Sequence, residues 1–298
     1  MTHPILLYPG DTVAIIAPAG PPDPVRLARG VRVLESLGLR CRVMESCHAQ
    51  DNPSTPPYLS APDAIRASDI HTAFADPDIR AVFCARGGYG TQRLLPLLDF
   101  DLIKCNPKIF AGYSDITALH IAFNQRCNLV TFHAPMIAAD FGDEGFGDSE
   151  ADRATLHSFQ DALFAKDTQT RFHKQTCTTM PTPPIIKATL LAHPIVGGNL
   201  SIVAASLGTP YEIDTRNRIL FLEEINEPPY RIDRMLTQLQ LAGKLDDAAG
   251  FLFGDFTPLT TDELTTLLAS IKIPPGKPIT MGFPGGHTSP NITLRLGG

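Results

Sequence analysis

Tryptophan is absent from this chain, and that absence by itself excludes no fold. Other scarcities exclude more. The six cysteines (41, 47, 84, 105, 127 and 177) form no C-x-x-C pair, which argues against a disulfide frame or a thiolate zinc site and reads as reduced thiols in a cytoplasmic protein. No apolar run approaches the length of a membrane span, so no membrane partner is expected. Residues 1–20 carry no basic segment ahead of a long apolar block, the pattern of a secretory leader. Basic residues are outnumbered 25 to 31, giving a net charge of -6 and no polybasic surface for nucleic acid. What remains is ordinary: 298 residues, 43% hydrophobic and 19% charged, long enough for two domains with separate cores and too apolar for extensive disorder.

The chain is organised around Lys108-Ile109-Phe110-Ala111-Gly112-Tyr113-Ser114-Asp115-Ile116-Thr117-Ala118-Leu119-His120. Residues 108–111 read as a short buried strand. From Asp115 onward Ile116, Leu119 and Phe123 recur at helical spacing. Ser114 falls at the junction, and Gly112 permits a sharp turn before it. The first N–H groups of a helix starting there lack intrahelical acceptors, and with the helix dipole they favour an oxyanion. The pattern resembles a nucleophile elbow, although Ile116 stands in place of the last glycine of G-x-S-x-G. The plainer reading is a serine helix cap.

Around this stretch apolar strands alternate with amphipathic helices. Strands are expected at 11–18, 39–44, 81–84, 109–111 and 129–132, and helices at 25–37, 61–74 and 91–98, with a Pro-, Ser- and Asn-rich loop at 48–60. The alternation predicts a doubly wound, mostly parallel α/β sheet over residues 1–145. A Gly/Asp-rich stretch at 140–150, a helix at 151–165 and a Thr/Pro-rich stretch at 174–184 suggest a boundary region over 146–184. A second, smaller α/β domain then covers 185–298. Its expected strands are 185–191, 219–222, 250–253 and 279–281. Gly197-Gly198-Asn199 opens a helix to 207, and further helices fall at 231–241 and 262–271.

Three loops that follow strands hold chemistry-bearing groups. In Ala85-Arg86-Gly87-Gly88-Tyr89-Gly90 consecutive glycines let backbone N–H groups approach a ligand, and the Gly88 N–H can pair with that of Asp115 as an oxyanion site. The alternative is a tight strand-to-helix turn; a phosphate loop is disfavoured because no G-K-[ST] follows. In Phe221-Leu222-Glu223-Glu224-Ile225-Asn226-Glu227, Glu223 ends an apolar strand where a carboxylate can orient a histidine, although clustered acids commonly form a solvated turn. No histidine lies at ligand spacing, so a metal is not expected. In Phe283-Pro284-Gly285-Gly286-His287-Thr288, His287 lies in a glycine-rich loop and not on a helix face. His133 reads as a structural, hydrogen-bonded histidine, and Cys84 as a buried thiol more than a rival nucleophile. Ser114, Glu223 and His287 follow the Ser, acid, His order known from other hydrolases, but order alone does not bring them together.

Taken together, these segments resemble the LD-carboxypeptidase family of serine peptidases, which includes muramoyl-tetrapeptide carboxypeptidases and microcin C self-immunity proteins. The matching motifs are Gly10-Asp11 with Ala14-Ile15-Ile16-Ala17-Pro18, the 85–90 loop, Gly112-Tyr113-Ser114-Asp115, Gly197-Gly198-Asn199-Leu200, Leu207-Gly208-Thr209-Pro210, Leu222-Glu223-Glu224, Pro229-Tyr230-Arg231-Ile232-Asp233-Arg234, and Gly286-His287 with Asn291-Ile292-Thr293-Leu294. The resemblance implies a triad of Ser114, Glu223 and His287, with Glu224 where the family usually has a second acid. It implies oxyanion donors at Gly88 and Asp115, and a substrate site near Arg86, Gly87, Tyr89 and Arg231. It also implies a smaller C-terminal domain with a β-barrel-like core, a homodimer, and no cofactor or metal. Ala134 departs from the family's usual glycine, and relatives often run on through another strand or two past the position of Gly298.

The implied reaction is hydrolysis of the amide before the C-terminal D-Ala of a murein tetrapeptide. Cleavage of a peptidyl- or aminoacyl-nucleotide amide is the runner-up, ranked lower because no Trp or aromatic insertion lies near the triad. A non-catalytic peptide-binding protein is the third reading.

Overall fold

Five short apolar segments of the first half pair side by side. They are β1 (Thr12–Ile16), β2 (Arg40–Val43), β3 (Ile79–Cys84), β4 (Ile109–Gly112) and β5 (Thr131–His133). In the computed structural model, which describes residues 1–49, 55–165, 192–271 and 273–297, they form a parallel sheet in the order β2-β1-β3-β4-β5. Side chains alternate across β1. Val13 and Ile15 meet Leu27 and Leu34 of the helix Pro24–Ser36, while Ala14 and Ile16 meet Ile70 and Phe74 of the helix Asp63–Ala75. Helices therefore cover both faces, as the alternation predicts. The strand order reverses between β1 and β3, the position beyond whose carboxyl ends sheets of this type bind ligands. There Gly20 N–H donates to Gly87 O at 3.0 Å, joining the loops that follow the two strands.

The second sheet contains β6 (Ile195–Asn199), β7 (Ile219–Ile225), β8 (Gly250–Thr257) and β9 (Ile279–Thr280), in sequence order and all parallel. The expected barrel-like core is not formed among the described residues: four strands make an open sheet, too few for closure. The last strand, β10 (Leu294–Leu296), leaves this lobe and pairs antiparallel with β5, completing a six-stranded first sheet. Gly297 N–H then donates to Ile195 O at 2.7 Å, joining the edges of the two sheets.

One helix belongs to both lobes. Thr117–Arg126 is buried along Thr117 to Asn124. Leu119, Ala122 and Phe123 lie in the core of the first lobe and Ile121 in that of the second. A helix apolar on most sides is stable only when covered on most sides.

Two helix expectations are corrected. Residues 91–98 are not one helix: Pro96 interrupts them, leaving short 3-10 turns at Thr91–Arg93 and Leu95–Leu97. A new helix, Phe100–Cys105, starts at the Asp99 cap, whose carboxylate accepts from Leu102 N–H at 2.9 Å. Gly197 and Gly198 extend β6, and the helix Leu200–Ser206 begins only after Asn199 caps it. The helix expected in the boundary region, observed as Glu150–Leu163, packs Phe159 against Phe83 of the first sheet at 5.3 Å. The strand expected at 185–191, the Thr/Pro stretch at 174–184 and Cys177 lie outside the described residues. Among the described residues no helix is long and apolar enough to cross a membrane.

Leu296 is fully buried at the joint between the lobes. Leu296→Ala should cost about 2–5 kcal/mol of stability, read as a lower midpoint in urea denaturation. A wild-type midpoint would show that burial does not hold the returning strand.

Candidate active site

Ser114 stands on a strained turn. Tyr113 is still extended, and Ser114 has φ 65°, a left-handed conformation that costs a non-glycine residue roughly 1–3 kcal/mol. The chain makes one 3-10 turn, Ser114–Ile116, before the α-helix Thr117–Arg126 begins. The α-helix thus starts later than the sequence periodicity places it, and Ser114 projects from the end of β4. Gly87 lies directly over it: a Cβ there would come within 2.8 Å of Ser114 Cβ and 2.9 Å of Oγ. Since the Gly87 carbonyl accepts from Gly20 N–H, the trans peptide turns the Gly88 N–H the opposite way. The Asp115 N–H, early in the turn, lies 3.5 Å from the same Cβ point.

The buried Asp115 side chain ties these two loops together. Its carboxylate accepts from Thr91 N–H at 2.8 Å, and the Thr91 hydroxyl donates back to Asp115 O at 2.6 Å. Burial raises its pKa against the pull of those hydrogen bonds. Arg66, fully buried, donates to Gly90 O and Ala61 O at 3.0 Å and also to Pro18 O. It fixes the loops after β1 and β3. Sequence reasoning missed both roles, because nothing in the pattern distinguishes Arg66 from the other polar residues of its helix.

The second lobe supplies a carboxylate and an imidazole. Glu223, on β7 and 1% exposed, accepts from His287 Nδ1 at 2.8 Å; its Oε1 has no hydrogen-bond partner among the described residues. His287 Nε2 lies 3.1 Å from Ser114 Oγ. The network assigns the proton to Nδ1 and leaves Nε2 as acceptor for the serine hydroxyl. Gly286, at φ 101°, permits this approach, since a Cβ would fall 2.8 Å from Glu223 Cδ and Oε2. Burial pushes the His287 pKa down, but the Glu223 hydrogen bond and charge outweigh it, and the net shift is upward from 6.5.

Strand alternation separates the two adjacent acids. Glu224 points to the other face of β7, where its carboxylate accepts from Asn199 Nδ2 at 2.9 Å and from the Ser201 amide and hydroxyl at 2.8 and 2.6 Å. The remaining candidates Arg86, Tyr89 and Arg231 are exposed. Arg86 is exposed and donates to Pro21 O at 3.2 Å. Tyr89 is half-exposed, edge-on to Tyr58 at 5.7 Å. Arg231 pairs with Glu227 at 3.3 Å, and no described contact joins it to the Ser114–His287 pair. Cys84 is fully buried, and burial pushes its thiol well above the ordinary range. The hydrogen-bonded role expected of His133 is corrected: both ring nitrogens lack partners among the described residues. The ring packs edge-on against Phe221 at 5.0 Å, and burial keeps it neutral.

A hydroxyl on an imidazole on a carboxylate has the connectivity for general-base activation of serine. In proton NMR the His287 ring should titrate above 6.5, and in Glu223→Gln its midpoint should fall. An unchanged midpoint would remove the carboxylate as the cause.

Known proteins carry the same frame. The N-terminal domain model of the LD-carboxypeptidases matches residues 13–134, and the C-terminal domain model matches 193–298. A probable murein peptide carboxypeptidase of Bacillus subtilis is 41% identical over 300 residues, covering 99% of this chain and 89% of that protein. Among solved structures, a muramoyltetrapeptide carboxypeptidase from Oxalobacter formigenes superimposes with TM-score 0.74 at 29% identity, over 96% of this chain and 92% of its own. An MccF-like protein from Bacillus anthracis gives TM-score 0.82 at 26% identity, over 100% of this chain and 94% of its own. With both domain models matched in order along one chain, this protein belongs to the LD-carboxypeptidase family of peptidases.

Proposed function

We propose that this peptidase is a serine-type LD-carboxypeptidase that releases the C-terminal D-Ala of murein tetrapeptides through an acyl-enzyme. The observation that carries the reading is the unbroken chain from Ser114 Oγ to His287 at 3.1 Å and from His287 to Glu223 at 2.8 Å. His287 Nε2 takes the Ser114 proton as Oγ attacks the carbonyl carbon before D-Ala. Glu223 holds the ring in the required tautomer and stabilises imidazolium. The Gly88 and Asp115 N–H groups donate to the tetrahedral oxyanion, each such donor being worth about 3 kcal/mol. His287 then protonates the leaving amine, D-Ala departs, and water activated by the same imidazole hydrolyses the ester. Arg86 and Arg231 are candidates for the substrate's terminal carboxylate, and Gly87 and Tyr89 line the approach. The murein substrate is supported by the name of the 41% identical relative. A cytoplasmic homodimer belongs to the same proposal.

A second reading, hydrolysis of a peptidyl- or aminoacyl-nucleotide amide, is favoured by the likeness to the MccF-like protein. Incubation with each substrate class separates the two.

Ser114→Ala should abolish D-Ala release from a tetrapeptide, by roughly 10⁴-fold or more in kcat, with a chelator having no effect on the wild type. Turnover by Ser114→Ala, or loss with chelator, would overturn the serine mechanism. Because His287 must be neutral to act as base and its pKa is raised, kcat/KM should climb with pH through a midpoint above 6.5. An acid limb below that value would exclude His287 as the group titrating.

A further inference from the structure

We propose that Asp140 is a positioning residue for the reacting pair, holding Gly286, the residue before His287, through Asn291, and facing Tyr113, the residue before Ser114, directly; this rests on the serine-peptidase reading above. Asp140 Oδ1 accepts from Asn291 Nδ2 at 3.1 Å, and the Asn291 side-chain oxygen accepts from Gly286 N–H at 2.9 Å. Gly286 is the residue whose left-handed backbone lets His287 reach Glu223. Asn291 is buried, and its backbone N–H donates to Thr155 Oγ1 at 2.9 Å, which anchors the chain at that residue. On the other side Tyr113 OH faces Asp140 Oδ1 at 3.5 Å, while the Tyr113 ring stands edge-on to the His287 ring at 4.9 Å. Met136 N–H fixes Oδ2 at 2.8 Å. One carboxylate from the first lobe thus braces both residues that precede the reacting side chains, which come from different lobes.

Its charge acts on the same ring. The groups facing Asp140 are Tyr113 at the end of β4, Asn291 and His287 from the last loop, and Asp143 on its own loop. Arg26, from the helix Pro24–Ser36, binds Ala138 O and Ala139 O and pairs with Asp143. Burial lifts the Asp140 pKa to about 6, against the hydrogen bonds from Met136 and Asn291. Above that pH its negative charge joins those of Glu223 and Glu224 in stabilising imidazolium at His287.

The test is the pH dependence of kcat and KM on a tetrapeptide for the wild type, Asp140→Asn and Asn291→Ala, with a proton NMR titration of His287 in each resting protein. Asp140→Asn keeps an acceptor for Asn291 and removes the charge. It should lower kcat about tenfold or more with KM within about twofold, and move the His287 midpoint and the acid limb to lower pH. Asn291→Ala should lower kcat similarly while leaving the limb nearly in place, because the charge remains. An Asp140→Asn protein with a wild-type His287 midpoint and acid limb would overturn the proposal even if kcat fell, since a structural defect alone gives that pattern. If Asp140→Asn does not fold, a wild-type kcat in Asn291→Ala overturns the proposal, and a reduced kcat at unchanged KM supports it. The NMR titration needs no turnover, so it separates failure of this inference from failure of the serine-peptidase reading.

Discussion

The 3.1 Å contact between Ser114 Oγ and His287 Nε2 joins residues 173 positions apart, and the two side chains come from different lobes. A hydrogen bond of this kind contributes only about 1 kcal/mol and cannot hold two lobes together. It must be imposed by the packing around it. The helix Thr117–Arg126, buried in both cores, provides one part of that constraint. β10 provides another, by returning from the second lobe to pair with β5 a few residues after His287. The two side chains meet because the lobes share a helix and a sheet.

Close approach is the second constraint, and it is steric. Gly87 over Ser114, Gly286 over Glu223 and Gly198 against Thr117 each occupy a place where a Cβ would overlap a neighbour. Gly198 would meet Thr117 Oγ1 at 2.4 Å, in the contact where Asn199 N–H also donates to that hydroxyl at 3.0 Å. Backbone from the second lobe can therefore rest on the helix that follows Ser114. The polar residues serve the same end. Asp115, Arg66, Glu224 and Asn291 have their buried polar atoms matched by loop amides, carbonyls or side chains, as groups removed from water require. Glu223 Oε1 and the ring nitrogens of His133 are exceptions, both lying close to the site.

Much of the fold was legible because it rests on local patterns. Apolar runs such as those within 11–18 and 219–222 identify buried strands, and the alternation with helices predicts the parallel sheet. The readings that failed are those where residue spacing competes with another constraint, local or tertiary. Pro96 broke a helix that spacing alone supports, and the 197–199 glycines, helix breakers by habit, serve a strand pressed against its neighbour. His133 carries polar atoms that suggest a hydrogen-bonded role, yet it is packed as an aromatic ring.

The candidate site divides in the same way. By itself the sequence determined the strand–turn–helix around Ser114, the glycine loop, and the presence of an acid and a histidine after strands of the second half, since each depends on neighbours along the chain. Only the tertiary structure decided that Glu223 and not Glu224 faces His287, because strand phase sends adjacent residues to opposite faces and the lobe arrangement picks the face. It alone brought Asp140, Asn291 and Tyr113 behind the imidazole, and led β10 back into the first sheet. Those contacts span up to 151 residues in the hydrogen bonds of that cluster, a distance over which local pattern carries no geometric information.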